Sequence, residues 1–326
     1  MRRRHFITLI GGAAAGWPLA ARAQQAAMPV IGFLHGASSE GYKPMVTSFR
    51  RGLKEAGYVD GRNVTIEFRW ADGHYDRLPA MAADLVRRQV AVIVTGGTPA
   101  AIVAKAATST IPTVIIVGGD PVQLGLVESL NRPGGNVTGL AVLTVELEAK
   151  KLELLHGLLP AATAIALLVN PTTVLTESVT KVVQDAARSF GLHLHVLNAS
   201  TESQIDAAFG ALVELRASAL TVGVDGFFTN NRGQIVALAA RYAVPAVYGV
   251  RDFVTAGGLM SYGTDLVDMY GQSGIYAGKI LKGARPADLP IQQVTKVELV
   301  INLTTAKTLG LTFPTTLLGR ADELIE

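Results

Sequence analysis

Residues 93–122 read IVTGGTPAAIVAKAATSTIPTVIIVGGDPV, two apolar runs each closed by a glycine pair, with an alanine-rich segment between them. Residues 90–95 and 113–117 are short, continuous and rich in β-branched side chains, so they predict strands buried on both faces. Residues 99–108 predict the helix between them, opened by Pro99 where a missing N–H is tolerated. Strand, helix and strand in so short a span form the unit from which parallel sheets are built.

The unit recurs in both directions. Upstream, residues 29–36 (PVIGFLHG) predict a strand, 40–56 a helix with Met45, Phe49 and Leu53 on one face, 64–70 a strand and 76–88 a helix. Downstream, a strand at 137–143 follows Gly134-Gly135-Asn136, and the alternation restarts. It continues through helices at 145–159, 175–190, 202–215 and 230–242, with strands at 164–169, 193–197, 219–224 and 246–250. Two such sets predict an α/β protein of two doubly wound parallel-sheet lobes. The tail breaks the tandem order with a strand at 258–263, a long helix at 265–282, the Pro-rich GARPADLP and a strand at 297–302. This fits a chain that returns to the first lobe and leaves it again, although periodicity by itself does not establish such a hinge. The expected division is lobe 1 at 28–141 plus 262–290, and lobe 2 at 142–261 plus 291–326.

The first 23 residues read as an export signal. Arg2, Arg3 and Arg4 precede a short apolar run, and Ala21-Arg22-Ala23 supplies a small-residue exit site. Arg3-Arg4-His5-Phe6-Ile7 also resembles the twin-arginine motif, so both export routes stay open. Over the whole chain 29 Lys+Arg stand against 26 Asp+Glu, but four of the arginines lie in the leader, leaving 25 against 26. The basic balance therefore belongs to the leader, and no basic stripe invites nucleic acid. There is no cysteine, which excludes disulfides, thiolate metal sites, a cysteine nucleophile and a lipid-bearing cysteine. A soluble, periplasmic, monomeric protein without a lipid anchor is expected.

Ligands of open parallel sheets bind outside the carboxyl ends of the strands. Those ends carry His35-Gly36-Ala37-Ser38-Ser39, Gly96-Gly97-Thr98-Pro99 and Gly118-Gly119-Asp120-Pro121 in the first half. The second half offers Asn170-Pro171-Thr172-Thr173, Asp225-Gly226-Phe227-Phe228 and Tyr248-Gly249-Val250-Arg251. Helix-start amides and hydroxyls suit a carboxylate, a carboxylate suits an ammonium, and aromatic rings suit an apolar side chain. Each residue also has an ordinary structural use: Ser39, Thr98 and Asn170 as helix caps, Asp120 and Asp225 in Asx turns. The set weighs more than its members because it recurs at the same place in both halves.

Catalytic patterns are thin. Neither G-x-G-x-x-G nor G-x-x-x-x-G-K-[ST] occurs, so no nucleotide cofactor is expected, and no G-x-S-x-G marks a nucleophile. His193 and His195 share a strand face with no acid close in sequence, and no metal site is expected there.

Several segments resemble one family. They are GTPAA at 97–101, IPTVIIVGGDPV at 111–122, LVESLNRPGGNVTGL at 126–140, GGLMSYGTD at 257–265 and YGQSGIYAGKILKGARPADLPIQQ at 270–293. Together they look like the bacterial ABC-transporter substrate-binding proteins of the type I periplasmic binding fold, distantly similar to branched-chain amino-acid receptors. The resemblance implies a two-lobed clamshell with a three-crossing hinge, a small-molecule ligand in the cleft and an ABC permease as partner. Carried over by position, it implies ligand contacts at Ser38, Ser39, Thr98 and Asp120 in the first lobe. In the second lobe it implies Asn170, Asp225 and Tyr248, with Tyr262 and Asp265 near the hinge. Gly119 departs from the family's pattern, where many relatives carry an acidic or polar residue. The ligand class expected is an amino acid or small aromatic acid. Two alternatives are a sensing subunit for a membrane kinase, and a cleft enzyme drawing on His35, Asp120 and Asp225.

Overall fold

The computed structural model describes residues 28–142 and 144–326, and the expected export leader lies outside them. The first lobe opens with β1 (Val30–His35), α1 (Lys43–Glu55) and β2 (Thr65–Trp70). A 3-10 turn (Tyr75–Arg77) and α2 (Leu78–Arg87) lead to β3 (Val92–Gly96), α3 (Thr98–Ala107), β4 (Thr113–Gly118) and β5 (Val137–Val142). The second lobe starts with α4 (Thr144–Leu158), β6 (Ala164–Val169), α5 (Thr176–Ser189), β7 (His193–Asn198) and α6 (Glu202–Glu214). It continues with β8 (Leu220–Val222), α7 (Gly226–Asn230), α8 (Arg232–Arg241), β9 (Ala246–Tyr248), α9 (Asp252–Thr255) and β10 (Met260–Thr264). Then α10 (Leu266–Leu281) and β11 (Gln292–Val294) return to the first lobe. Finally β12 (Val297–Asn302), α11 (Leu303–Thr308), α12 (Thr315–Leu318) and β13 (Glu323–Ile325) complete the second.

The first sheet runs β11-β5-β4-β3-β1-β2 with every pair parallel. The second runs β13-β12-β10-β9-β8-β6-β7, parallel except for the β10–β12 pair. The chain thus passes between the sheets three times, after β5, β10 and β11. The expected boundaries at 262 and 290 each fall short of the sheet edges. Tyr262–Thr264 still pair with β12, and Gln292–Val294 pair with β5 through a polar edge strand that carries no apolar mark.

Burial on both faces explains the apolar runs. Along β1, Ile31 and Phe33 pack with Phe49, Leu53 and Met269 under α1 and α10, while Leu34 packs with Leu78 and Leu85 under α2. Each such side chain contributes about 1.5–3 kcal/mol on leaving water. Helices α1 and α10 touch through Gly52, Gly271 and Gly274, where an added Cβ at Gly52 or Gly274 would collide with the partner helix's backbone.

The helix expected at 230–242 is α8, and one further helix precedes it where a loop was expected. Asp225 accepts from the Phe227 N–H at 2.9 Å and starts α7 at Gly226. Phe227 and Phe228 are consequently helical core residues rather than loop aromatics. No helix among the described residues is long and apolar enough to cross a membrane.

Candidate functional site

All strands of the first sheet point their carboxyl ends to one edge, and that edge faces the second lobe. Between them lies a cavity of about 130 Å³, traced by the centre of a water-sized sphere. The ends of β1, β3, β4 and β5 form one wall through His35, Gly96, Gly118 and Val142. Val224, Asp225, Gly249 and Tyr262 come from the other lobe, and Met269 and Tyr270 from α10. Four of the chain's eight tyrosines, Tyr42, Tyr75, Tyr262 and Tyr270, line it. In a chain with 6% aromatic residues that concentration marks a wall suited to a ring.

The lobes already touch across the cavity. The Tyr75 hydroxyl donates to Asp225 Oδ2 at 2.9 Å and accepts from the Phe227 N–H at 3.2 Å. Nearby, the Ser38 N–H and hydroxyl both donate to Asn230 Oδ1, at 2.9 and 3.0 Å. Asp225 is held from behind by the Asn170 amide, which donates to Oδ1 at 3.0 Å. Burial raises the Asp225 carboxyl above its ordinary value, and the Asn170, Tyr75 and backbone donors oppose that rise. Oδ2 accepts a single hydrogen bond, from Tyr75, and keeps acceptor capacity toward the cavity.

His35 has a defined tautomer. The Ala37 N–H donates to Nδ1 at 2.9 Å, and burial lowers the ring to about 3, so it is neutral with its proton on Nε2. That N–H donates to the Tyr270 hydroxyl oxygen at 2.7 Å. The hydroxyl hydrogen of Tyr270 therefore has no acceptor among the described residues and is available to an acceptor in the cavity. Gly96 permits this approach, since an added Cβ there would collide with the imidazole and lie 2.6 Å from the hydroxyl. Tyr270→Phe would strand the His35 N–H and remove the donor. The expected result is a loss of about 1–3 kcal/mol in unfolding free energy, read by denaturant titration, together with weaker ligand binding.

Of the residues singled out from sequence, Thr98, Asp225 and Tyr262 line the cavity. The Thr98 hydroxyl is occupied: it donates to the Gly118 carbonyl at 3.0 Å and accepts from the Gly118 N–H at 3.1 Å. A carboxylate would thus meet the first-turn amides of α3, whose cap Gly97 supplies no side chain, rather than this hydroxyl. Ser38 and Asn170 stand behind the wall, joining the lobes and holding Asp225.

The others lie outside it. Ser39 is exposed, and Asp120 folds back onto the N–H groups of Val122 and Gln123 at 2.8 and 3.4 Å, an Asx turn set by Pro121. Asp265 caps α10 by accepting from the Asp268 N–H at 3.2 Å. Tyr248 is fully buried and stacked on Phe253 at 4.5 Å, because the short β9 turns it into the lobe's core. Gly119 sits at φ +87°, a backbone that glycine favours, which accounts for the departure there. Of the residues named for an enzyme, Asp120 lies outside the cavity, and His35 and Asp225 line it.

Three comparisons bear on this cleft. The profile of the family described as ABC transporter substrate binding protein matches residues 30–325, nearly all of the described chain. The chain belongs to this family. Substrate-binding proteins of ABC transporters bind small-molecule ligands and work with ABC permeases. A relative in Clostridioides difficile (strain R20291), named tyrosine-binding protein, is 29% identical over 264 residues, covering 81% of this chain and 75% of its own. A Streptococcus pneumoniae structure, an ABC domain in complex with L-Trp, is 26% identical with a TM-score of 0.82, covering 90% of this chain and all of its own. A conserved domain protein from Vibrio cholerae O1 biovar El Tor is 27% identical with a TM-score of 0.84, covering 91% and 99%. The mostly parallel two-lobed architecture is common to this substrate-binding protein and those neighbours.

The residues missed from sequence are the tyrosines and an ion pair. Tyr42, Tyr75 and Tyr270 reach the cavity from a helix start, a 3-10 turn and a helix face, none of them a strand end. Glu148 and Lys151 line it from inside α4, where a charged pair ordinarily reads as a solvated helix face.

Proposed function

We propose that this substrate-binding protein is the exported receptor of an ABC importer and captures an aromatic amino acid by closing its two lobes. The observation that carries this reading is a tyrosine-walled cavity with a half-buried carboxylate and the amide end of α3 on its wall. The ammonium of the ligand pairs with Asp225 Oδ2, and its carboxylate meets the α3 amides and the Tyr270 hydroxyl. The aromatic side chain lies among the tyrosines. Capture of Tyr and Trp by relatives, as their names state, supports this ligand class.

Closure follows from differential contact. A ligand that touches α3 in one lobe and Asp225 in the other gains contacts only when the lobes meet, so it draws the open–closed equilibrium toward closure. The Tyr75–Asp225 and Ser38–Asn230 bonds form with it. The leader would deliver the receptor to the periplasm, where its permease partner is reached.

A thermal-shift and calorimetric screen against the common amino acids tests the reading. At 100 times Kd a ligand adds about 2.7 kcal/mol to the folded state. The expected result is a rise in melting temperature of roughly 5–10 °C with at least one of Tyr, Trp and Phe, and none with Lys or Glu. Silence across all aromatic amino acids would sink the ligand class.

A further inference from the structure

The first crossing delivers the chain into α4, which shows Thr144, Leu147, Glu148 and Lys151 to the cavity, one helix face at i, i+3, i+4 and i+7. Thr144 and Thr264 stand at two of the crossings, so this face floors the cavity on the hinge side. Asp225 meets Tyr75 where the lobes touch, and its neighbour Val224 reaches Glu148 through the backbone N–H. A ligand whose ammonium sits on Asp225 therefore lies within reach of the α4 face.

Glu148 and Lys151 are both fully buried, with Lys151 Nζ 2.8 Å from Glu148 Oε2. The ammonium also donates to the Val222 carbonyl oxygen at 2.6 Å. Glu148 Oε1 accepts a long bond from the Val224 N–H at 3.4 Å, while Oε2 has charge compensation without a directional hydrogen bond among the described residues. On β10, against which α4 packs, the Thr264 hydroxyl is also buried without a partner and also lines the cavity. The Thr264 hydroxyl is thus without a partner among the described residues, while Glu148 Oε2 has the Lys151 ammonium beside it and a free lone pair.

We propose that Glu148, assisted by Thr264, reads a hydrogen-bond donor at the far end of the ligand's side chain, so that the receptor selects a phenol or an indole over an unsubstituted benzyl group. The inference rests on the aromatic amino acid reading. A phenol O–H or an indole N–H can donate to Oε2 in a charge-assisted bond, about twice as strong as a neutral one. Phenylalanine fills the same space and offers no donor, so Lys151 alone faces that oxygen. Discrimination of about 10- to 100-fold is expected, because an analogue without the donor forgoes a charge-assisted bond and leaves the Thr264 hydroxyl unpartnered.

Titration calorimetry of the full chain with L-Tyr, L-Trp and L-Phe is the test. Phe is expected to bind about 10- to 100-fold more weakly than the better of the other two. In the variant Glu148→Met/Lys151→Met, which removes both charges together, Tyr and Trp are expected to fall to the level of Phe. Thr264→Val, a smaller change, is expected to narrow the preference without abolishing it. Equal affinity of the parent protein for all three would overturn the role of Glu148 and leave the ligand class standing. Retention of the full preference by a folded double variant would overturn it as well. No binding of any aromatic amino acid would instead remove the ligand class, and this proposal with it.

Discussion

Asp225→Asn is expected to weaken aromatic amino acid binding on the order of 100-fold, because truncating one side of a buried, hydrogen-bonded charge pair costs roughly 2–5 kcal/mol. The asparagine keeps the size of the side chain and an oxygen for the Phe227 N–H, so α7 keeps its cap. What is lost is the charge proposed to answer the ligand's ammonium. Calorimetry at neutral pH reads the change, and an unaltered Kd would remove Asp225 from the binding scheme.

The same residue sets a pH dependence. In the closed form without ligand, burial raises the Asp225 carboxyl above its ordinary value, and an arriving ammonium favours the ionised form, so the bound state holds fewer protons on this group than the unliganded closed form. Affinity is therefore expected to fall as pH drops through the raised value, with protons released on binding in that window. The stability contribution has the opposite sign. A raised carboxyl in the unliganded fold binds protons more readily than in the unfolded chain, so its ionisation destabilises the fold above the raised value and that penalty fades as pH falls. His35 adds no pH dependence in the same range, since burial lowers its ring to about 3.

Legibility in the sequence followed the periodicity. Runs such as 164–169 and 297–302 coincide with β6 and β12 because strands buried on both faces leave no doubt about their ends. The polar β11 and the one-turn α9 left no such trace. For the cleft, knowledge of the strand ends narrowed the search without telling which way each side chain turns. Asp120 and Asp225 look alike in sequence, each at a strand end and each capping its own following amides. They differ in neighbours from afar: Tyr75 and Asn170 enclose Asp225, while Asp120 has only its local turn. Contacts separated by 150 residues, as Tyr75 and Asp225 are, carry no local pattern.

Gly52→Ala is expected to destabilise the first lobe by about 3 kcal/mol, although alanine is favoured over glycine by up to about 1 kcal/mol inside a helix. The new Cβ would overlap the Gly271 carbonyl oxygen and lie 2.8 Å from the carbonyl carbon, both backbone atoms that no rotamer change can move. Relief requires α1 and α10 to separate, opening the packing of Phe49, Leu53 and Met269 behind them. A loss of roughly 6–12 °C in melting temperature corresponds to this energy for a domain of such size. Gly210→Ala provides the contrast: it lies within α6, nothing stands within 4 Å of its added Cβ, and about 0.5–1 kcal/mol of added stability is expected. Equal or greater stability of Gly52→Ala would mean that the helix contact tolerates expansion. The substitution also reaches the cleft, since Tyr270 precedes Gly271 on α10 and its hydroxyl is fixed by His35 on β1. A shift of α10 stretches that 2.7 Å bond, so weaker ligand binding should accompany the lower melting temperature even at temperatures where the variant is fully folded.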